Sequence, residues 1–258
     1  MSRDQNRGFS EEYEDLSTVG TDQSCAAAKL PENRSKNRFT NVLACDSSRV
    51  KLASQTGSDT DYINANYINI KCEKYWPMND MPCLYGNLRV SVLSEQKESC
   101  WTRRALVVRN ESASEAHVVA HFHFTAWPDH GLPTRTEDLI QFRWIVRQHI
   151  ETFSFSGPTV VHCSNGVGRT GTLIALDLLL QQIDNEEEVS VADCVHRMRL
   201  SRPLMVQTQS QYVFLHQCIM DSLKPKEYAI PEPIYENPDI IYANSLVLRE
   251  FKAANLGV

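Results

Sequence analysis

The stretch GPTVVHCSNGVGRTGTLIALDLLL, residues 157–180, decides how this chain is read. It runs from a short apolar segment, "TVVHC" (159–163), through a glycine-rich turn into a helical pattern over residues 170–183. Strand, turn and helix in that order admit two chemistries. Gly166, Gly168 and Gly171 spell G-x-G-x-x-G, the turn that seats a pyrophosphate on a helix N-terminus, and the glutamates at 186–188 lie near the spacing at which a dinucleotide site holds a ribose. Against that reading, the motif comes late in the chain and the glutamates follow a full helix with no apolar strand between. A dinucleotide turn also has no use for a cysteine at the strand end. A Walker loop is excluded because no G-K-[ST] follows.

Read as Cys163-x5-Arg169, the same residues make chemical sense. A loop between strand and helix can aim successive N–H groups inward, with Gly166 and Gly168 permitting the backbone conformations and the helix N-terminus adding positive potential. Arg169 supplies a planar fork matched to two phosphate oxygens, and Cys163 sits where such a field turns a thiol into a thiolate. A cysteine alone at a strand end is most often an inert buried thiol. Two glycines, the arginine and Thr170 opening the helix reverse that weighting.

A second constellation is "AWPDHGLP", 126–133. Pro128 and Pro133 stiffen a loop that Gly131 lets bend, with Asp129 at its tip beside Trp127, as in a movable lid carrying one carboxyl. Taken alone this is as readily an ordinary proline-rich turn. Beside a thiolate attacking phosphorus, Asp129 gains a chemical role, because a tyrosine leaving group, with a pKa of about 10, needs a proton donor at neutral pH.

The 258 residues suit one large domain or two small ones, and 26 basic against 32 acidic side chains with no basic block argue against nucleic acid or a membrane surface as partner. The eight cysteines are scattered without a C-x-x-C pair or a zinc spacing, which fits free thiols in a reducing compartment and no metal site. No apolar run approaches the roughly 18 residues of a membrane span, and the stretch after Met1 is no signal peptide, so a cytoplasmic location is expected. Residues 1–25 read as a polar lead-in with a short helix near Glu11, outside the core. Strands are expected at 61–70, 87–93, 103–108 and 116–127. Helices are expected from Thr136 as cap through Ile150, then at 170–183, 190–200 and 209–221. Residues 224–258 read as a flexible tail.

The ordered motifs "KNRFTNVL" with "DSSRV" (36–50), "DYINANYI" (61–68), "KCEKYWP" (71–77), "WPDHG", "VHCSNGVGRTG" and "VQTQSQYVF" (206–214) resemble the protein tyrosine phosphatases over residues 26–223. The likeness is greatest to the cytoplasmic part of a receptor-type member with a single catalytic domain. The resemblance implies an α/β fold with a twisted mixed sheet flanked by helices, and phosphotyrosine hydrolysis through a cysteinyl-phosphate without metal or cofactor. It makes Cys163 the nucleophile, Asp129 the general acid and later base, and Arg169 the phosphate clamp. Thr170 would steady the thiolate, and Gln207, with Gln211, would place the hydrolytic water. Phe39 would stack on the phosphotyrosine ring, Asn41 would meet the peptide backbone, and Ser164, Asn165, Gly166, Val167 and Gly168 would line the phosphate loop.

The chain departs from that family twice. Only Asn69 and Ile70 separate Ile68 from Lys71, where the family holds several tens of residues with a central strand, a covering helix and a glutamate that orients the clamp arginine. Such a loss would expose core worth more than the roughly 5–15 kcal/mol that separates folded from unfolded chains, so a destabilised domain lacking a central strand and a helix is expected. The second departure is Asn165, where the family has alanine; its side chain would face the substrate ring, crowding it or adding a polar contact. The competing function is therefore an impaired isoform that binds phosphotyrosine without turnover. In the tail, "IYEN" and "IYAN" place Asn237 and Asn244 two residues after Tyr235 and Tyr242, a spacing that SH2 adaptor domains read on phosphotyrosine.

Overall fold

A computed structural model describes residues 3–52, 61–64, 76–77, 81–113, 115–128, 131–153, 157–185 and 188–224. The junction at 68–71, Asp129, Tyr235 and Tyr242 lie outside the described residues. The first compact unit ends at Ser222.

The sheet is an antiparallel meander of β1 (Cys83–Tyr85), β2 (Leu88–Lys97), β3 (Trp101–Asn110) and β4 (Glu115–Phe124), in that spatial order. Local chemistry sets its turns. Gly86 takes φ +58° in the two-residue link between β1 and β2, a left-handed position that suits glycine. Asn110 Oδ1 accepts from the Ser112 N–H at 3.0 Å to start the turn into β4. β3 carries most of the buried positions of the sheet, among them Trp101, Thr102, Arg104 and Leu106. Arg104 reaches that depth because it pairs with Glu95 and lies 4.7 Å from the Trp76 ring centroid.

The helical layer contains α3 (Thr136–Thr152), α4 (Gly168–Asp184), α5 (Val191–Ser201) and α6 (Gln209–Ser222). α4 is central and packs on α3, α5 and α6. Its Ala175, Leu176, Leu179 and Leu180 recur at helical spacing and are buried. α5 starts on a working cap, since Ser190 Oγ accepts from the Asp193 N–H at 3.1 Å. Burial of this apolar stripe is the main stabilising contribution.

Several expectations change. Thr136 is the first helical residue and not the cap; its hydroxyl donates instead to Asp221 Oδ2 at 2.6 Å, tying α3 to the end of α6. Among the described residues the three pairings of the sheet are antiparallel. "TVVHC" forms no ladder: only His162 makes an isolated bridge, and Val160 is 63% exposed. A buried strand needs hydrogen-bonded neighbours, and among the described residues none of the four strands of the sheet is shown in a ladder with this segment. Its β-branched composition was a necessary condition only.

The lead-in is also not a mere lead-in. It forms α1 (Arg3–Asp15), longer than expected, which packs on α6. Phe9, Tyr13 and Leu16 join the main hydrophobic cluster. The Tyr212 hydroxyl donates to Glu12 at 2.6 Å, and Tyr13 donates to the Val206 carbonyl at 3.1 Å. A four-residue helix, α2 (Ala26–Lys29), and a 3₁₀ turn (Pro31–Lys36) follow.

Candidate active site

The site is built where the segment after His162 enters α4. Cys163 is 9% exposed at the base of a loop whose Gly166 takes φ +67°. That left-handed residue turns the chain so that consecutive N–H groups point to one side. Gly168, by contrast, is already helical, and its lack of a side chain serves proximity: a Cβ there would meet the Gln211 amide at 3.0 and 3.1 Å and Gln207 Oε1 at 3.3 Å. Gly171 is constrained harder, because a Cβ would lie 2.4 Å from the Val206 nitrogen. The two glycines thus let the 204–208 segment close over the first turn of α4. That segment is anchored by the Val206 N–H donating to the Val167 carbonyl at 3.0 Å.

Four cysteines are buried among the described residues, and their electrostatics separate them. Burial pushes the Cys45 and Cys218 thiols up to about 12 and Cys194 up to about 11. Burial pushes Cys163 upward as well, yet this thiol is held below its ordinary value. The Thr170 hydroxyl and the N–H groups of Thr170, Asn165 and Gly166 outweigh the burial by favouring the thiolate. Thr170 Oγ1 is buried with no hydrogen bond to oxygen or nitrogen, and the group it acts on is the Cys163 sulfur.

Arg202 carries no sequence signal of its own, and it supports the loop from behind. Fully buried, it donates from Nε to the Gly166 carbonyl and from a terminal nitrogen to the Asn165 carbonyl, each at 3.2 Å. With those carbonyls drawn back, their neighbouring N–H groups are left to face the sulfur. Arg199 does the same for the next segment: it donates to the carbonyls of Met205 and Val206 at 3.0 Å and to that of Leu16. No spacing to Cys163 marks either arginine, and the neighbouring Asp193, His196 and Arg197 leave their charge undistinguished in the sequence.

Arg169 is half-buried and reaches the other loop. It donates to the Pro128 carbonyl at 3.0 Å and lies 5.9 Å from the Trp127 ring centroid. Trp127 is itself fixed by donation from its indole N–H to the Gly131 carbonyl at 3.1 Å, with Gly131 at φ +89°. The loop that carries Asp129 therefore touches the cysteine loop through Arg169 and Trp127, while Asp129 itself lies outside the described residues. Gln207 is exposed, and Asn165 Nδ2 donates to its Oε1 at 2.9 Å. Gln211 Oε1 accepts from the Gln207 N–H at 3.0 Å. Phe39 packs partly buried against the hydrophobic cluster that includes Val167, and Asn41 and Ser164 are exposed. Among the described residues no three His, Cys, Asp or Glu side chains converge as a metal site would require.

The loop thus presents N–H groups around the Cys163 thiol and sends Arg169 toward the 126–133 loop, on an α/β scaffold. The family described as protein-tyrosine phosphatase matches this chain over residues 33–71 and again over 69–221. The chain belongs to the protein-tyrosine phosphatase family. It is 42% identical to the human receptor-type tyrosine-protein phosphatase eta over 299 aligned positions, covering 98% of the chain and 22% of that relative. It is 39% identical to the human receptor-type tyrosine-protein phosphatase H, covering 97% of the chain and 27% of the relative. With the rat receptor-type tyrosine-protein phosphatase V the identity is 35%, over 83% of the chain and 15% of the relative. The chain thus spans about a quarter or less of these relatives' length. Its alignment with the eta relative is longer than its own 258 residues, and the family match breaks at 69–71.

Proposed function

We propose that this chain hydrolyses phosphotyrosine in proteins through a cysteinyl-phosphate intermediate. The observation that carries it is the Cys163 thiol, the buried cysteine that its surroundings push toward thiolate while burial pushes Cys45, Cys194 and Cys218 away from it. The sulfur attacks phosphorus and the P–O bond to the phenol breaks, with the departing oxygen taking a proton from Asp129. Water then attacks phosphorus, gives its proton to Asp129, and the P–S bond breaks to release orthophosphate and the thiolate. Arg169 holds two phosphate oxygens, the N–H groups of residues 164–169 take the charge that develops, and Thr170 steadies the sulfur. Gln207 and Gln211 place the water, Phe39 receives the aromatic ring, and Asn41 contacts the substrate backbone. The purified chain is expected to release phosphate from a phosphotyrosine peptide, and Cys163→Ser to abolish release. An unchanged rate in Cys163→Ser sinks the reading.

A second reading starts from the break in the family match at 69–71. In that reading a block of the domain is missing at the junction, and the chain binds phosphotyrosine without turning it over. A cooperative melt with phosphopeptide binding but no phosphate release selects it. For the tail we propose that phosphorylated Tyr235 and Tyr242 recruit SH2 adaptor proteins on the cytoplasmic side of a membrane. A doubly phosphorylated peptide of residues 230–248 that binds no adaptor SH2 domain removes that idea.

A further inference from the structure

Asn165 is the residue of the cysteine loop at which this chain departs from the family pattern, and the structure gives its side chain two partners. Its Oδ1 accepts from the Cys163 thiol at 3.9 Å, and its Nδ2 donates to Gln207 Oε1 at 2.9 Å. The amide is therefore turned across the loop toward Gln207. Gln207 is otherwise an exposed side chain on a segment held by its backbone: its N–H is taken by Gln211 Oε1 at 3.0 Å, and the Val206 N–H before it by the Val167 carbonyl at 3.0 Å. Its terminal amide has several torsions to lose, and Asn165 is the side chain shown fixing it.

We infer that Asn165 is a positioning residue for the second half of the reaction, holding the Gln207 amide over the loop so that a water bound to it is aimed at the cysteinyl-phosphate. The inference rests on the reading in which Gln207 places the hydrolytic water. A carbonyl oxygen has two lone pairs. Asn165 occupies one of those on Gln207 Oε1 and fixes the amide plane, and the other remains to accept from the water. Gly168 and Gln211 bound the same space, since Gln207 Oε1 and the Gln211 amide both lie within 3.3 Å of where a Gly168 Cβ would be. Removing the Asn165 amide frees the glutamine and withdraws the oxygen beside the Cys163 thiol, while the backbone N–H groups of the loop and Arg169 stay in place.

The two half-reactions separate this role from a structural one. Formation of cysteinyl-phosphate, read by kcat/KM and by the burst of phenol, is expected to change by a smaller factor in Asn165→Ala than hydrolysis of the intermediate does, since the loop N–H groups and Arg169 are retained. Hydrolysis of the intermediate, followed by rapid quench after the burst, is expected to slow on the order of threefold to tenfold, the loss of one positioning hydrogen bond. Asn165→Leu keeps the volume without the amide and should match Asn165→Ala, with both variants melting at the temperature of the parent chain. In a Gln207→Ala background the Asn165 substitution should have no further effect. The inference is overturned, and the phosphatase reading kept, if Gln207→Ala slows hydrolysis while Asn165→Ala does not, or if Asn165→Ala slows it equally without Gln207. Both fall if Gln207→Ala leaves hydrolysis unchanged, or if the parent chain forms no phosphoenzyme or shows no cooperative melt.

Discussion

At the scale of single residues, Cys163 and its neighbours make a titration the most direct probe. Because the folded environment holds this thiol below its ordinary value, its thiolate persists as pH falls through the range where Cys194 and Cys218 are protonated. Alkylation of Cys163 by iodoacetamide should therefore plateau at a lower pH than that of a free thiol. Thr170→Ala removes the hydroxyl that acts on the sulfur and should move the midpoint upward, slowing alkylation at neutral pH. A midpoint unmoved in Thr170→Ala would assign the stabilisation to the backbone N–H groups alone. These residues could be picked out in the sequence because they are local, packed into the eight positions from Cys163 to Thr170. Arg202 could not, since its bonds to the Asn165 and Gly166 carbonyls join positions 36 and 37 apart in the chain.

At the scale of elements, the helices of the second half were legible from apolar period, while the segment at 159–163 was not, because whether a β-branched run becomes a strand depends on who pairs with it. α1 was underestimated for a related reason: its charged and polar residues hide the apolar side chains of Phe9 and Tyr13, and only α6 shows what those side chains face. A tight fit between elements occurs at Gly171. An added methyl group would strike the Val206 backbone, so Gly171→Ala is expected to cost about 1–3 kcal/mol and to displace Gln207, lowering both Tm and turnover. Val206 already holds φ +56°, an uncommon conformation for a β-branched residue, and its carbonyl is held by Tyr13 and Arg199. Tyr13→Phe should cost about 0.5–1.5 kcal/mol, measured by denaturant unfolding, with Arg199 retaining the carbonyl. Loss of turnover without loss of stability in Tyr13→Phe would show that α1 sets the geometry of the 204–208 segment.

At the scale of the whole molecule, stability should depend on acid through the histidines beside Trp76. His121 is pushed down to about 4 by burial first and then by Arg104, His123 and His162, and burial lowers His123 and His162 as well. In the unfolded chain these rings titrate near 6.5. Between about 6.5 and about 4 the unfolded state holds more protons than the folded one, so stability is full above that window and falls as pH drops through it. Tm measured across the range from neutral pH to the lower edge of that window should decline, and His121→Gln should flatten the decline; an unchanged slope would refute the assignment to His121. A different property follows from the way α1 meets the 204–208 segment. Ser10, Glu12, Tyr13 and Leu16 bond to partners 183 to 200 positions later, so these contacts span nearly the whole described chain. Loop closure over such separations is slow, and during synthesis it must wait for α6 to leave the ribosome. α1 therefore waits for its α6 partner until about two hundred further residues have been made, and the 204–208 segment beside the cysteine loop is fixed late.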